Sequence, residues 1–197
     1  RWTHFSRSDV EMNNASSYDM RLLYTVYDDK EVNVNVLAGW KGVDMSWSDF
    51  GREFTYSING DRNVKGNLNE QTGIHYKQNY QIPYIGIETT FPYDKVSFGG
   101  HLHYSPYVIA QDRDHHIIRE ILFIRKGNGG AYYSIGGKAA WNFATDLSIS
   151  LQVDHEIVDE IRTDTYLTGH FGSFRVLDSA SMGYHTTSAS LSLSKRW

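Results

Sequence analysis

The chain of 197 residues contains no cysteine, which removes any disulfide framework and any cysteine-based zinc site. It also lacks a basic surplus. Lys and Arg number 19 against 23 Asp and Glu, a net charge of −4 with both signs scattered, and this argues against nucleic acid as a partner. No run approaches the roughly 18 apolar residues of a spanning helix. Glycine-rich phosphate loops, HExxH and GxSxG are all missing. There is neither an initiator Met nor a signal peptide at the start, so the chain is a mature form or begins partway through a longer one. What is present is an unusual pairing of numbers. Mean hydropathy is polar at −0.49, yet aromatics reach 14%, with 14 Tyr and 5 Trp. A transmembrane barrel reconciles the two, because its lumen is polar and aromatic rings gather at both membrane interfaces.

Period-2 alternation recurs along the chain and predicts strands. Val32, Val34, Val36, Ala38 and Trp40 share one face, with Asn33, Asn35 and Gly39 on the other. Leu147, Ile149, Leu151, Val153 and Ile157 oppose Ser148, Ser150, Gln152, Asp154 and Glu156. Val96, Phe98, Leu102 and Tyr104 oppose Ser97, His101, His103 and Ser105. Further segments run from Met20 to Val26, from Tyr133 to Phe143, and from Ser188 to Trp197, whose Trp is expected at an interface. Serine-rich faces do not fill a dry core, but they suit a wet lumen. One more strand runs from Ile74 to Phe91. Its apolar parity switches near Pro83, from Tyr80 and Ile82 to Ile85 and Ile87, which predicts a bulge there.

That makes seven strands. Tight turns are expected at Asp28-Asp29-Lys30, Pro92-Tyr93-Asp94 and Ala144-Thr145-Asp146. Between them lie long polar connections at about 41–72, 109–130 and 158–183. Strict alternation of short and long is the pattern of short periplasmic turns and long extracellular loops, with the stretch before residue 18 on the extracellular side. Single-chain bacterial barrels have even strand numbers, and an open edge would face lipid. The expectation is therefore one barrel domain over 1–197 that is incomplete at its N-terminus. A soluble barrel or sandwich is the competing architecture; it explains the regular loop lengths less well.

One constellation could carry chemistry. In the middle connection Asp112, Asp114 and His116 stand at alternate positions. In an extended chain they point to one side, about 7 Å apart. A carboxylate beside an imidazole fixes its tautomer and raises its basicity, the pair needed to activate water or a nucleophile. Asp112 adds a negative charge suited to a cationic group. The same spacing also occurs in ordinary solvated loops. Simple alternation from Phe98 to Val108 would turn these residues toward lipid, so the strand must bulge or leave the membrane before Asp112. His101 and His103 share a lumen-facing parity without an evident third metal ligand, and a buried polar network is the favoured reading. No metal site is assigned. Asp154 and Glu156 are expected to pair with Arg21 or Lys138 across the barrel.

These residues resemble the omptin family of bacterial outer-membrane proteases. Tyr76-Lys77-Gln78 followed by Pro83-Tyr84-Ile85-Gly86 is similar to an omptin strand. So is Gly99-Gly100 with Tyr104-Ser105 and Val108, leading into Asp112, Asp114 and His116, then Arg119-Glu120 and Tyr132-Tyr133-Ser134. Trp2-Thr3 with Ser6-Arg7 is similar to the omptin segment just after its first catalytic carboxylates. The likeness extends from residue 2 to the C-terminus, specific over 76–134 and generic after about 158. It implies an all-β, antiparallel, ten-stranded barrel, of which these would be the C-terminal seven strands. It also implies an endopeptidase that cuts beside basic residues, preferentially between two of them, in a groove facing the cell exterior. Water held between an Asp–His dyad and an aspartate pair is the implied attacker. By position Asp114 and His116 match the dyad, and Asp112 an acid that receives a basic side chain.

The departures are specific. The aspartate pair has no motif match in the 197 residues, so the chain alone is not expected to hydrolyse peptide. His4 stands where relatives carry an acid. Ser6 matches a groove serine, but water attack ranks above serine chemistry. No cofactor is required. Lipopolysaccharide is the activator the resemblance implies, yet the matching sites read Trp40, Gly42, Asp44 and Asn79, without the arginines. The expected partners are peptides or proteins with basic residues and outer-membrane lipid. A non-catalytic barrel acting as adhesin or surface-binding protein is the alternative, and a soluble barrel with a small ligand is a third.

Overall fold

The computed structural model describes residues 4–57, 62–170 and 172–195. Trp2, Thr3, Trp197 and the side chain of His4 lie outside the described residues. Every regular element is a strand: β1 (His4–Asp28), β2 (Asn33–Tyr56), β3 (Val64–Asn67), β4 (Thr72–Tyr93), β5 (Val96–Ser105), β6 (Val108–His116), β7 (Ile121–Gly129), β8 (Tyr132–Asn142), β9 (Leu147–Gly169) and β10 (Gly172–Lys195). All pairings are antiparallel.

These ten segments differ from the expected seven strands for two reasons. Segments β5 and β6 lie end to end along β4, and β7 and β8 lie end to end along β9. Each is one long strand interrupted, at Pro106-Tyr107 and Gly130-Ala131. The short β3 folds back onto the end of β2. Seven long strands remain. Among the described residues, β1 pairs only with β2, and β10 only with β9.

The sheet is apolar on its outside. Leu22 is 81% exposed and Leu191 72%, in company with Met20, Tyr24, Ile85, Ile87, Phe98, Leu102, Ile135, Trp141, Leu151 and Val153. These are the side chains that alternation had assigned to a lipid face, and in water so large an apolar band would be unstable. Exposed aromatics bound it. Tyr27, Phe91, Tyr93, Trp141 and Phe143 lie toward the tight turns, and Tyr18, Trp40, Tyr104 and Tyr133 toward the other end. The run from Tyr133 to Trp141 covers roughly 26 Å of strand, the scale of the apolar band of about 25 Å on membrane barrels. Among the described residues no helix is long and apolar enough to cross a membrane.

The tight turns form where expected. At the first, the Asp29 carboxylate accepts hydrogen bonds from the amides of Glu31 (2.7 Å) and Val32 (2.8 Å). The long connections, however, are mostly strand. Segment β2 continues to Tyr56, the β6–β7 hairpin turns within 117–120, β9 runs on to Gly169 and β10 starts at Gly172. A strand of 24 residues such as β2 is roughly 80 Å long, whereas crossing a bilayer takes about 9–11 residues. Beyond the apolar band neither face meets lipid, so alternation fades while the ladder continues.

The expected bulge at Pro83 is absent: β4 runs past Pro83 in unbroken register with β2. Tyr80, Ile82 and Tyr84 are all buried inside, and with Leu37, Val108, Ala110, Tyr132, Val158, Ile161 and Met182 they form an apolar plug across the lumen. The parity change in the sequence marks that plug, not a change of register. The bulge lies on the neighbouring strand. His103 and Ser105 face inward, and past Pro106-Tyr107 so do Val108, Ala110 and Asp112. Segment β9 makes the same switch, from Val158 to Ile161, Thr163 and Thr165. At this level the Asp159 amide donates to the Ala131 carbonyl (2.8 Å). The parity changes on these two strands thus turn Asp112 inward on β6, and Ile161, Thr163 and Thr165 inward on β9.

Candidate active site

The site is built on the β6–β7 hairpin, at the end of the sheet away from the tight turns. The parity switch at Pro106-Tyr107 delivers Asp112, Asp114 and His116 to the inner face. This satisfies the condition that the strand bulge before Asp112. Antiparallel register then sets Arg125 opposite Asp112 and Phe123 opposite Asp114. On the other side β4 brings Tyr76 beside Asp114 and Gln78 beside Asp112.

His116 Nε2 stands 3.2 Å from Asp114 Oδ1. The contact lacks hydrogen-bond alignment, since Asp114 Oδ1 has no hydrogen-bond partner among the described residues. The imidazole is 26% exposed and packs edge-on to the Phe123 ring, centroids 5.2 Å apart. Phe123 limits rotation of the ring, while the partial exposure leaves a path for water. The pair has the composition and proximity of a base and its orienting carboxylate.

Asp112 is in a different setting. Its side chain is 1% exposed. Its Oδ2 accepts from the Tyr76 hydroxyl (2.7 Å) and from Arg125 Nη1 (2.8 Å). Arg125 Nη2 donates to Asp114 Oδ2 at 3.3 Å, so one guanidinium spans both carboxylates. Burial works against the Arg125 charge. The hydrogen bond that Arg125 donates to Asp112 and the charges of both aspartates outweigh it and hold the guanidinium more firmly protonated than usual. Burial, then the bond to Asp112, raises the Tyr76 phenol above its ordinary range. Trp47 packs on Tyr76 with centroids 4.7 Å apart.

Arg125, and a place for Tyr76 in the site, are not evident from sequence spacing alone. Arg125 is findable once a hairpin is centred on 117–120, because position 125 then falls opposite 112. Reading 109–130 as loop concealed it. Ser6 lies exposed on β1 opposite Phe54, and no hydrogen bond links it to His116 among the described residues.

Comparison with known proteins agrees with this architecture. The family model described as "Omptin family" matches residues 1–196. The chain belongs to the omptin family. It is 30% identical over 154 residues to outer membrane protease OmpP of Escherichia coli (strain K12), covering 77% of this chain and 49% of that protein. It is 26% identical over 174 residues to protease 7 of the same strain, covering 86% and 55%. The crystal structure of outer membrane protease OmpT from Escherichia coli superposes with a TM-score of 0.85 at 24% identity, over 100% of this chain and 69% of that one. The fold is thus that of an omptin outer-membrane barrel. The chain spans about half the length of the curated relatives it matches.

Two other clusters of this omptin complete the picture. Inside the apolar band, His101 and His103 stack at 4.4 Å. His101 Nε2 lies 3.5 Å from Asp154 and 3.2 Å from the Ser134 hydroxyl, and His103 Nε2 lies 3.6 Å from Glu88. The ion pairs expected for Asp154 and Glu156 are rearranged. Arg21 pairs with Glu88 instead, Asp154 accepts from Gln152 (2.9 Å), and Glu156 pairs with Lys41 across the lumen. No group of three metal-ligating side chains occurs among the described residues. On the outer face, the Trp40 indole and Tyr18 hydroxyl both donate to Gln81 (2.7 and 2.9 Å), Tyr18 covers Gly42, and Asp44 pairs with Lys77 at 3.4 Å. Trp40, Gly42, Asp44 and Asn79 therefore form one patch at the upper edge of the apolar band.

Proposed function

We propose that this barrel serves an outer-membrane endopeptidase that cuts peptides at basic, preferentially dibasic, sites. His116 acts as general base toward a water molecule, Asp114 orients its imidazole, and Asp112 takes part in recognising a basic side chain. The observation that carries the reading is the convergence of Asp114 and His116, 3.2 Å apart, on the inner face of an omptin barrel. General-base catalysis by such a pair contributes about 10²–10⁴-fold. The family's aspartate pair has no motif match in the chain, so we assign it the dyad side of the groove and expect the 197 residues alone to be inactive. Lipid covers the apolar band. Lipopolysaccharide headgroups would meet the patch of Trp40, Asp44 and Asn79, where Lys77 supplies a cation.

The test is a cut map. Outer-membrane vesicles carrying the full gene product are incubated with peptides containing paired Arg or Lys, and products are identified by mass. Cleavage between the basic residues is expected. A folded, heat-modifiable barrel that leaves every such peptide intact would refute the endopeptidase and favour a surface-binding role.

A further inference from the structure

Asp112 cannot receive a substrate's cation as it stands. Its side chain is 1% exposed, and its Oδ2 already holds Tyr76 and Arg125. The guanidinium that a basic substrate would place between acids is supplied by the chain itself, forked across Asp112 and Asp114. The clasp is also imperfect. Asp112 Oδ1, Asp114 Oδ1 and Arg125 Nε are buried without hydrogen-bond partners among the described residues. Two carboxylates at this separation have acceptor capacity left over, and a planar amidinium or guanidinium matches it bidentately. Arg125 keeps 21% of its side chain exposed, with its guanidinium 5.8 Å from the Phe123 ring centroid, so it can swing toward water more easily than Asp112 can.

We propose that Arg125 is a specificity-determining residue, an internal stand-in for a basic side chain that must be displaced before Asp112 binds one. The role of Asp112 in recognition rests on the function proposed above; the competition between cations does not require catalysis. A bound base would replace Arg125 between Asp112 and Asp114, and Arg125 would turn to solvent. Arg125 therefore weakens the preference for basic over neutral side chains relative to a site without it.

Benzamidine is the probe, its binding measured calorimetrically on the complete chain folded in detergent. The wild type should bind weakly, and Arg125→Ala at least tenfold more tightly. Adding Asp112→Asn to Arg125→Ala should abolish the gain. Equal affinity in wild type and Arg125→Ala overturns the proposal, as does a gain that survives Asp112→Asn. If Arg125→Ala fails to fold, Arg125→Lys serves, since an ammonium cannot fork across both carboxylates. It should tighten benzamidine binding several-fold, and unchanged affinity again overturns the proposal. Because the readout is binding, a gene product that never cleaves peptide would refute the endopeptidase while leaving this result intact.

Discussion

Replacing Asp112 with Ala should destabilise the barrel severely, because its carboxylate is buried and holds two partners. The substitution removes a 2.8 Å charge-assisted hydrogen bond from Arg125 and a 2.7 Å bond from Tyr76. A hydrogen bond to a charged group contributes about 1.5–3 kcal/mol. Arg125 keeps only its 3.3 Å contact with Asp114, and the Tyr76 hydroxyl keeps only the bond it receives from Gln78 (2.9 Å). Removing one partner of a buried pair costs about 3–5 kcal/mol, and we expect Asp112→Ala to fall in that range. Asp112→Ala/Arg125→Met should lose less than Asp112→Ala alone, because no half-buried cation is left with only its 3.3 Å contact to Asp114. The coupling between the two positions should lie within about 0.5–3 kcal/mol. Urea unfolding in detergent, followed by tryptophan fluorescence and heat-modifiable mobility, measures all four corners of the cycle. A cost for Asp112→Ala below about 1 kcal/mol, or additive single effects, would refute the buried clasp.

The apolar plug gives a second prediction: Ile82→Ala should cost about 2–5 kcal/mol in the same urea assay, since Ile82 is fully buried against the lumen. Gly127 approaches β9 so closely that a Cβ would lie 2.4 Å from the Arg162 carbonyl oxygen. Gly127→Ala should cost about 1–3 kcal/mol, and no loss would show that the two strands separate freely. The Tyr76 phenol is held above its ordinary value, by burial first and then by Asp112. In the native state the neutral form is favoured, so this stability is complete below the unfolded value of about 10 and lost as pH rises above it. Alkaline unfolding of Tyr76→Phe should show a shallower decline with pH than the wild type; parallel curves would contradict the assignment.

The membrane half of the fold was legible because each strand there has two different solvents. Leu151 and Val153 meet lipid while Gln152 and Asp154 meet the lumen, and that contrast writes itself as alternation. Above the band the contrast ends. Residues 4–18 of β1 and 108–129 of the β6–β7 hairpin extend the same ladders, but with water available to both faces they read as loop. Pro83 misled for the opposite reason, since Tyr80 and Ile82 are apolar residues on the lumen side. The candidate site was half legible. Asp112, Asp114 and His116 carry their own spacing, whereas Arg125 acquires its partners only through hairpin register. Lys41 with Glu156 and Arg21 with Glu88 depend on how the sheet curls, which local pattern does not encode.

The central claim concerns His116. The full gene product and its His116→Ala variant should be compared as folded, heat-modifiable barrels in the same vesicles, by kcat/KM on a quenched dibasic peptide. A fall of about 10²–10⁴-fold is predicted for loss of the general base. Unchanged turnover by the folded His116→Ala barrel would contradict the account.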